Sequence, residues 1–427
     1  MAVTIGFTEQ QSSEQLLTLW GRLDARNREL GYARYDFGDV QSHPVVRRLA
    51  AGKAGRLLLK PLQALELASP KLWRRVLGIP KQVVPSLFYH LGMTYTVRGR
   101  LSAPPDNIAQ SVEEVCRRAL ELRLDAEHVC WRHPYMHHAG TWRGGLDPGV
   151  PPSCGHHTAR VGLMLLYAGE TLGQPDLTHA GISAARALLA YHRWNTCSDG
   201  SCTVSYYPDT RDEVINTGAD AAVLLAAVPG AERTPAMQTS LEGLTRMIVS
   251  EQLPDGSWYY CTRRHYENLG GARIIDNHHT AMNLGALTRL VGSGALPPSL
   301  AEAARKALDL GVEFYLENLF RPDGRGRHMI GRRRPCGVVG YSEGVSALSA
   351  YLDGAGGRSR AAAAKAGKMA PRLLANAIDR FVDRKTGDVA CYRFFGRPYH
   401  IQSARWGSAP LMQAITDYVA CRETTRS

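Results

Sequence analysis

In IIDNHHTAMNLGAL (274–287), an acid, an amide and two adjacent histidines stand directly ahead of an apolar run. Imidazoles titrate near neutral pH and can take or give a proton, and a neighbouring carboxylate can orient them. Asp276, His278 and His279 are therefore the first acid–base candidates, joined by His156, His157, Glu343, Asp209, Asp212 and Tyr341 at similar junctions. Arg160, Arg211, Arg263, Arg264 and Arg405 are candidate anion holders, because a guanidinium fork matches a carboxylate or phosphate. Trp131, Tyr206, Tyr207, Trp258, Tyr259 and Trp406 are candidate walls for a sugar ring or an apolar chain, and Asn216 a polar contact to substrate. Each residue also has a plainer reading. Asp276 or Asn277 can simply cap a helix, and Glu343 can be an acid favoured near a helix N-terminus.

These residues need elements that bring them together. Short polar segments lead into Ala/Leu-rich helical runs at Pro85, Cys154, Asn216, the opening stretch, Tyr341 and Ser403. His156, Asn216, Asn277, Tyr341 and Ser403 follow one another at intervals of 60, 61, 64 and 62 residues. So steady a period marks a repeat fold. Between the runs lies a second series: CSDGSCTVSYY, LPDGSWYYCTRR, RPDGRGRHMIG and KTGDVACYRFF. Its Asp-Gly or Gly-Asp steps predict tight turns, each a short β-hairpin or extended loop. A second helical pattern precedes each loop, as in DLTHAGISAARALLAYHRW and SLAEAARKALDLGVEFYLENLF. The expected fold is all-α, an (α/α)6 toroid of six helical hairpins with inner and outer rings. Residues 66–427 form the toroid, and residues 1–65 a helical extension packed on it. The inner-helix N-termini then share one mouth, where their free N–H groups favour anions.

Bulk composition sets limits. The 427 residues are 44% apolar and 21% charged, ordinary for a globular chain, and no apolar run of membrane-spanning length appears. The N-terminus lacks the pattern of a secretion signal, so a cytoplasmic protein is expected. Nine cysteines, an odd number, read as free thiols. The net charge of +12, largely arginine, points to an anionic small molecule or oligosaccharide. No motif supports nucleic acid. The basic, amphipathic stretch 45–67 reads as a helix docked on the ring rather than an element on a membrane surface. Membrane insertion is not expected, and the oligomeric state stays open. No cofactor is expected. A zinc site from His137, His138, Cys154 and His156, with Cys130, His133 and His157 nearby, is the alternative, although Pro134 argues against a regular helix there. Magnesium is a further alternative.

The pattern DGSWYY…IDNHHTAMNLGAL…GVEFYLENLFRPDGR resembles bacterial α/α-toroid proteins, described as six-hairpin-glycosidase-like or prenyltransferase-like, of polysaccharide and secondary-metabolite gene clusters. LGIPK (77–81), YYPDTRDEVINTGADAAVLLA (206–226) and ARWGSAPLMQAI (404–415) lie in matching order, so the likeness spans roughly residues 60–420. The chain departs from the pattern at PCGVVGYSEG (336–344) and YMHHAG (135–140).

The expected function is a carbohydrate-active enzyme on an anionic sugar or glycoside. In a lyase or epimerase, a His or Tyr removes the proton beside a neutralised carboxylate. In a hydrolase, two carboxylates flank the glycosidic oxygen, and Asp276 with Glu343 or Asp212 is the pair to consider. Three alternatives stand beside it. One is an isoprenoid enzyme of the terpene cyclase or prenyltransferase kind, binding a diphosphate near DTRDE (209–213). The others are a zinc-dependent toroid enzyme and a non-catalytic binding scaffold.

Overall fold

A computed structural model describes residues 12–36, 39–51, 66–134, 152–355, 359–394 and 397–424. Six inner helices run α2 (Ser86–Gly99), α4 (Gly155–Leu172), α6 (Ile215–Ala227), α8 (Asn277–Gly292), α10 (Val338–Ala350) and α12 (Ser408–Thr424). Each packs on the next, and α12 packs back on α2, so the ring closes. The outer helices are α1 (Ser13–Leu30), α3 (Ile108–Glu121), α5 (Pro175–Tyr191), α7 (Pro235–Ser250), α9 (Pro298–Asn318) and α11 (Arg360–Phe381). Five of them pack on the inner helix just before them in sequence. Helix α1, within the stretch expected to pack on the ring, lies against α12.

The two rings differ because their surroundings differ. Inner helices are buried nearly all round; α4 buries thirteen of its eighteen residues. Outer helices bury one stripe. In α3 it is Ser111, Val112, Val115, Cys116 and Ala119, at helical spacing. Small residues let the rings approach. A Cβ on Gly311 of α9 would come within 2.5 Å of the Trp258 ring, whose indole N–H is held by the Ile248 carbonyl at 2.8 Å. Gly311→Leu is therefore expected to lose about 1–3 kcal/mol of stability by overpacking, measured by urea unfolding.

Three antiparallel pairs decorate the loops: β1 (Trp194–Thr196) with β2 (Cys202–Val204), β3 (Arg327–Met329) with β4 (Arg332–Pro335), and β5 (Tyr392–Phe394) with β6 (Arg397–Tyr399). Only the first turns on its Asp-Gly step. Elsewhere the motif makes a local turn ahead of the strands or, after Gly256, no hairpin. Asp199, Asp255 and Asp323 each accept from the N–H two residues on, and the following Gly200, Gly256 and Gly324 have positive φ. The series encodes a turn faithfully; a hairpin needs more.

Candidate active site

The loops are stitched to the helices they overhang. The N–H groups of Gly155, Ile215 and Val338, first residues of α4, α6 and α10, donate to the carbonyls of Tyr206, Tyr260 and Cys391 at 2.9–3.1 Å. Each acceptor sits in the loop that follows the next outer helix. These loops therefore overhang the N-terminal mouth of the ring.

One helical turn below the mouth lies a charged belt. Arg160, Asp220, Glu343 and Gln413 are each the sixth residue of their inner helix, and His90 is the fifth of α2. Arg160 donates to Asp220 and to Glu343, both at 3.2 Å, and packs over the Tyr89 ring at 4.7 Å. Its Nη1 also approaches His90 Nε2 at 3.4 Å, which leaves the proton on Nδ1 to donate to Gln413 Oε1 at 2.7 Å. Asp220 also holds His156 Nδ1 at 2.7 Å. Five inner helices thus meet at one depth. Burial raises the Glu343 carboxyl, but Arg160, His90 and His278 outweigh it and hold it down at about 2. Asp220 is likewise held below the usual range, by Arg160 and His156 against burial. Burial pushes His90 down to about 4. The belt is therefore ionised at its carboxylates and its guanidinium, with neutral imidazoles.

Above the belt, a cavity of about 220 Å³ is lined by Tyr260, Asp276, His278, His279, His328, Tyr392 and Trp406, with backbone and apolar groups from 274–277 and 336–340 behind them. Asp276 caps α8: its Oδ1 accepts from the His279 N–H at 2.9 Å while Oδ2 holds His279 Nδ1 at 2.7 Å. Asp276 therefore both caps the helix and holds the His279 ring. Burial raises the Asp276 carboxyl, but His279 outweighs it and holds it at about 2. The His278 ring lies 4.9 Å from His279 and 5.6 Å from Trp406, and its buried Nδ1 makes no hydrogen bond among the described residues. Burial first, then His279, pushes His278 down to about 3. It is expected to remain neutral between pH 8 and pH 5, observed as flat imidazole carbon shifts in an NMR titration; a midpoint near 6.5 would contradict the geometry.

No family model matches the sequence, and no curated protein matches it. Solved structures do. Cellobiose 2-epimerase from Spirochaeta thermophila aligns over 81% of this chain and 87% of its own, with TM-score 0.60 and 14% identity. An unsaturated glucuronyl hydrolase specific for heparin aligns over 96% and 97%, with TM-score 0.61 and 9% identity. A polysaccharide lyase aligns over 97% and 98%, with TM-score 0.57 and 10% identity. The fold is that of the six-hairpin glycosidase-like toroids. At such identities the likeness is one of architecture, so the roles of this toroid's residues rest on its own geometry.

The toroid brings Asp276, His278, His279 and Trp406 to the cavity, with Glu343 in the belt beneath. Other candidates sit elsewhere, each for a physical reason. Trp131 and Trp258 are core residues, their indole N–H groups spent on the Ala119 and Ile248 carbonyls. Tyr341 is buried, its hydroxyl accepting from the Gly326 N–H at 2.7 Å. His157 is fully buried, behind His156 and His133. Asn216 is buried against Met282. Tyr259 packs on Tyr266 and Arg273. Among the described residues no guanidinium lines the cavity. Arg405 is clamped by both oxygens of Asp36 at 3.0 Å, Arg263 reaches Glu251 and the Ser250 carbonyl, and Arg211 is exposed.

The acidic loop 209–213 does not offer a diphosphate site. Asp212 is buried, and Glu213 is bound by Arg264 and Thr262. For zinc, burial pushes the Cys154 thiol up to about 12, His156 is taken by Asp220, and His137 and His138 lie outside the described residues. Among the described residues no three His, Cys, Asp or Glu side chains converge as metal ligands. Sequence reasoning missed His90, Asp220 and Gln413 in the belt, and Tyr260, His328 and Tyr392 in the walls. Aligning the repeats at the helix starts would have exposed the belt, since Arg160, Asp220, Met282 and Glu343 recur about every 60 residues.

A larger cavity, about 400 Å³, lies outside the mouth between α1 and Ile378–Gly387. Its described lining has no histidine and no aromatic side chain.

Proposed function

We propose that this protein is a carbohydrate-active enzyme acting on an anionic sugar or glycoside at the mouth of the toroid. The observation that carries the reading is the cavity wall itself: a neutral His278 beside a His279 oriented by Asp276, faced by Trp406, Tyr392 and Tyr260. The cavity is smaller than the roughly 300 Å³ at which ligand sites usually begin, a size for one sugar ring rather than an extended chain. Aromatic faces suit the C–H side of such a ring. Helices α4, α6 and α10 open at the mouth without side-chain caps, so their dipole ends supply the field for an anion that no described arginine supplies in the cavity.

The walls carry one carboxylate, Asp276, and three imidazoles, His278, His279 and His328. Two-carboxylate hydrolysis asks for a second acid across the bond, and Glu343 is already held by Arg160. Proton abstraction asks for what is present. His278, neutral, accepts a proton from the carbon beside the carboxylate. His279, as an imidazolium with its Nδ1–H fixed on Asp276, gives its Nε2–H proton to the opposite face of that carbon or to a leaving oxygen, and Asp276 stabilises the imidazolium before the transfer. The solved neighbours include proteins titled sugar epimerase, polysaccharide lyase and unsaturated glucuronyl hydrolase, a spread that agrees with this class of substrate.

A panel of acidic mono- and oligosaccharides in deuterated water tests the reading. Unsaturated product, or deuterium at a sugar carbon, is expected. Reducing ends without either would move the chemistry to hydrolysis, and no change in any sugar would remove the assignment.

A further inference from the structure

The short helix Pro70–Val76 is locked on one face and bare on the other. Arg74 is fully buried, donating to Asp39 at 2.9 Å, to Glu66 at 3.3 Å and to the carbonyls of Pro70 and Asp36 at 3.1 Å. That anchor fixes the rotation of the helix. Leu72 and Val76, one turn apart, consequently face outward with 59% and 68% of their surface in water, and Leu67 just before them is 42% exposed. Three of the seven large apolar side chains exposed among the described residues fall within residues 67–76. Single exposed hydrophobics are ordinary; a cluster is a contact surface.

The rim of the cluster is cationic. Lys71, Arg75 and Lys81 form no ion pair among the described residues, whereas Arg117 and Arg118 on outer helix α3 are paired with Glu114 and Glu121. Burial lowers the Lys71 ammonium, and Arg26, Lys81 and Arg75 add to the push against Asp388, so these cations share one field. Exposed apolar side chains rimmed by cations that form no ion pair among the described residues match an anionic headgroup layer, which offers both an apolar interior and phosphates.

We propose that this face docks on an anionic lipid headgroup layer, with Leu67, Leu72 and Val76 entering the headgroup region and Lys71, Arg75 and Lys81 meeting lipid phosphates. The contact is peripheral; no described helix is long and apolar enough to cross a membrane. It also lies beside the mouth. Glu66 accepts from the Tyr399 hydroxyl at 2.7 Å, Tyr399 pairs with Tyr392 across β5–β6, and Tyr392 lines the cavity. The docking is independent of the reaction assigned to that cavity.

Co-sedimentation of the full chain with lipid vesicles tests it. Phosphatidylcholine vesicles carrying about one-third phosphatidylglycerol are expected to pull the protein down, less so in high salt, and pure phosphatidylcholine vesicles are not. At about fivefold per cation, the K71Q/R75Q/K81Q variant is expected to bind roughly a hundredfold more weakly. L72S/V76S is expected to lose about tenfold or more. Both alter exposed or half-buried side chains and should keep the wild-type circular dichroism spectrum and melting curve. Wild-type protein left in the supernatant with anionic vesicles, or both variants sedimenting like wild type, overturns the proposal. Retention on immobilised poly-glutamate without vesicle binding assigns the patch to an acidic protein and overturns it equally.

Discussion

Replacing Asp276 by Asn is expected to lower turnover about a hundredfold or more while the protein stays folded, its melting temperature lowered only by the loss of the Asp276–His279 pair. The two halves of this result have separate causes. Asn is as good a helix cap as Asp, so the bond to the His279 N–H survives and α8 keeps its start. The carboxylate is lost, however, and with it the charge that holds His279 Nδ1–H and stabilises the imidazolium from which His279 is proposed to give its proton. His279→Ala is expected to give the same loss of turnover and the same intact fold. Steady-state kinetics beside a thermal melt checks both. Full activity in the two variants would move the chemistry away from α8.

Arg160→Met is expected to do the opposite, damaging the fold most. Arg160 bridges Asp220 and Glu343, whose side chains are 13% and 12% exposed. Removing one partner of a buried ion pair leaves uncompensated charge, at a cost of about 3–5 kcal/mol. The cost should depend on pH in a definite direction. Glu343 is held at about 2, below its ordinary value, so its contribution is fully present above that ordinary value and is lost as pH falls toward 2. In the variant the two carboxyls rise and take up protons on folding. The gap between wild type and variant in urea unfolding should therefore be widest above pH 5 and shrink as the pH is lowered toward 3. A gap that does not change with pH would mean that Arg160 is not what keeps these carboxylates ionised.

The sequence made the ring legible because its evidence is periodic. Steady intervals, polar starts and a second helical pattern all follow from a repeated unit that cannot bury its apolar surface alone. The Asp-Gly series was legible as turns, since Asp199 and Gly200 solve a local problem with local residues. Hairpin formation was less so, because it depends on partners several residues further on. In the site, the start of α8 was readable from its own residues. The division of aromatic residues was not. Trp258 and Tyr260 stand two apart in one loop, yet one indole is sealed against Ile248 and the other ring faces His279 at 4.5 Å. That choice is made by how the loop is stitched to α6, through the bond between Ile215 and Tyr260. The arginines misled for a related reason. Charge is visible in sequence, but its neutralisation by a distant acid is not; Asp36 lies 369 positions from Arg405. Asp36 also takes the Trp406 indole N–H at 3.2 Å, so a residue far from the repeats sets one wall of the cavity.

The most direct measurement follows the imidazole signals of His278 and His279 by NMR while an acidic monosaccharide is added. Both are expected to shift together in a saturable way, with the Trp406 indole signal moving alongside them. If an acidic sugar binds or is turned over while these three signals stay still, the centre of the ring's mouth is not where this protein does its chemistry.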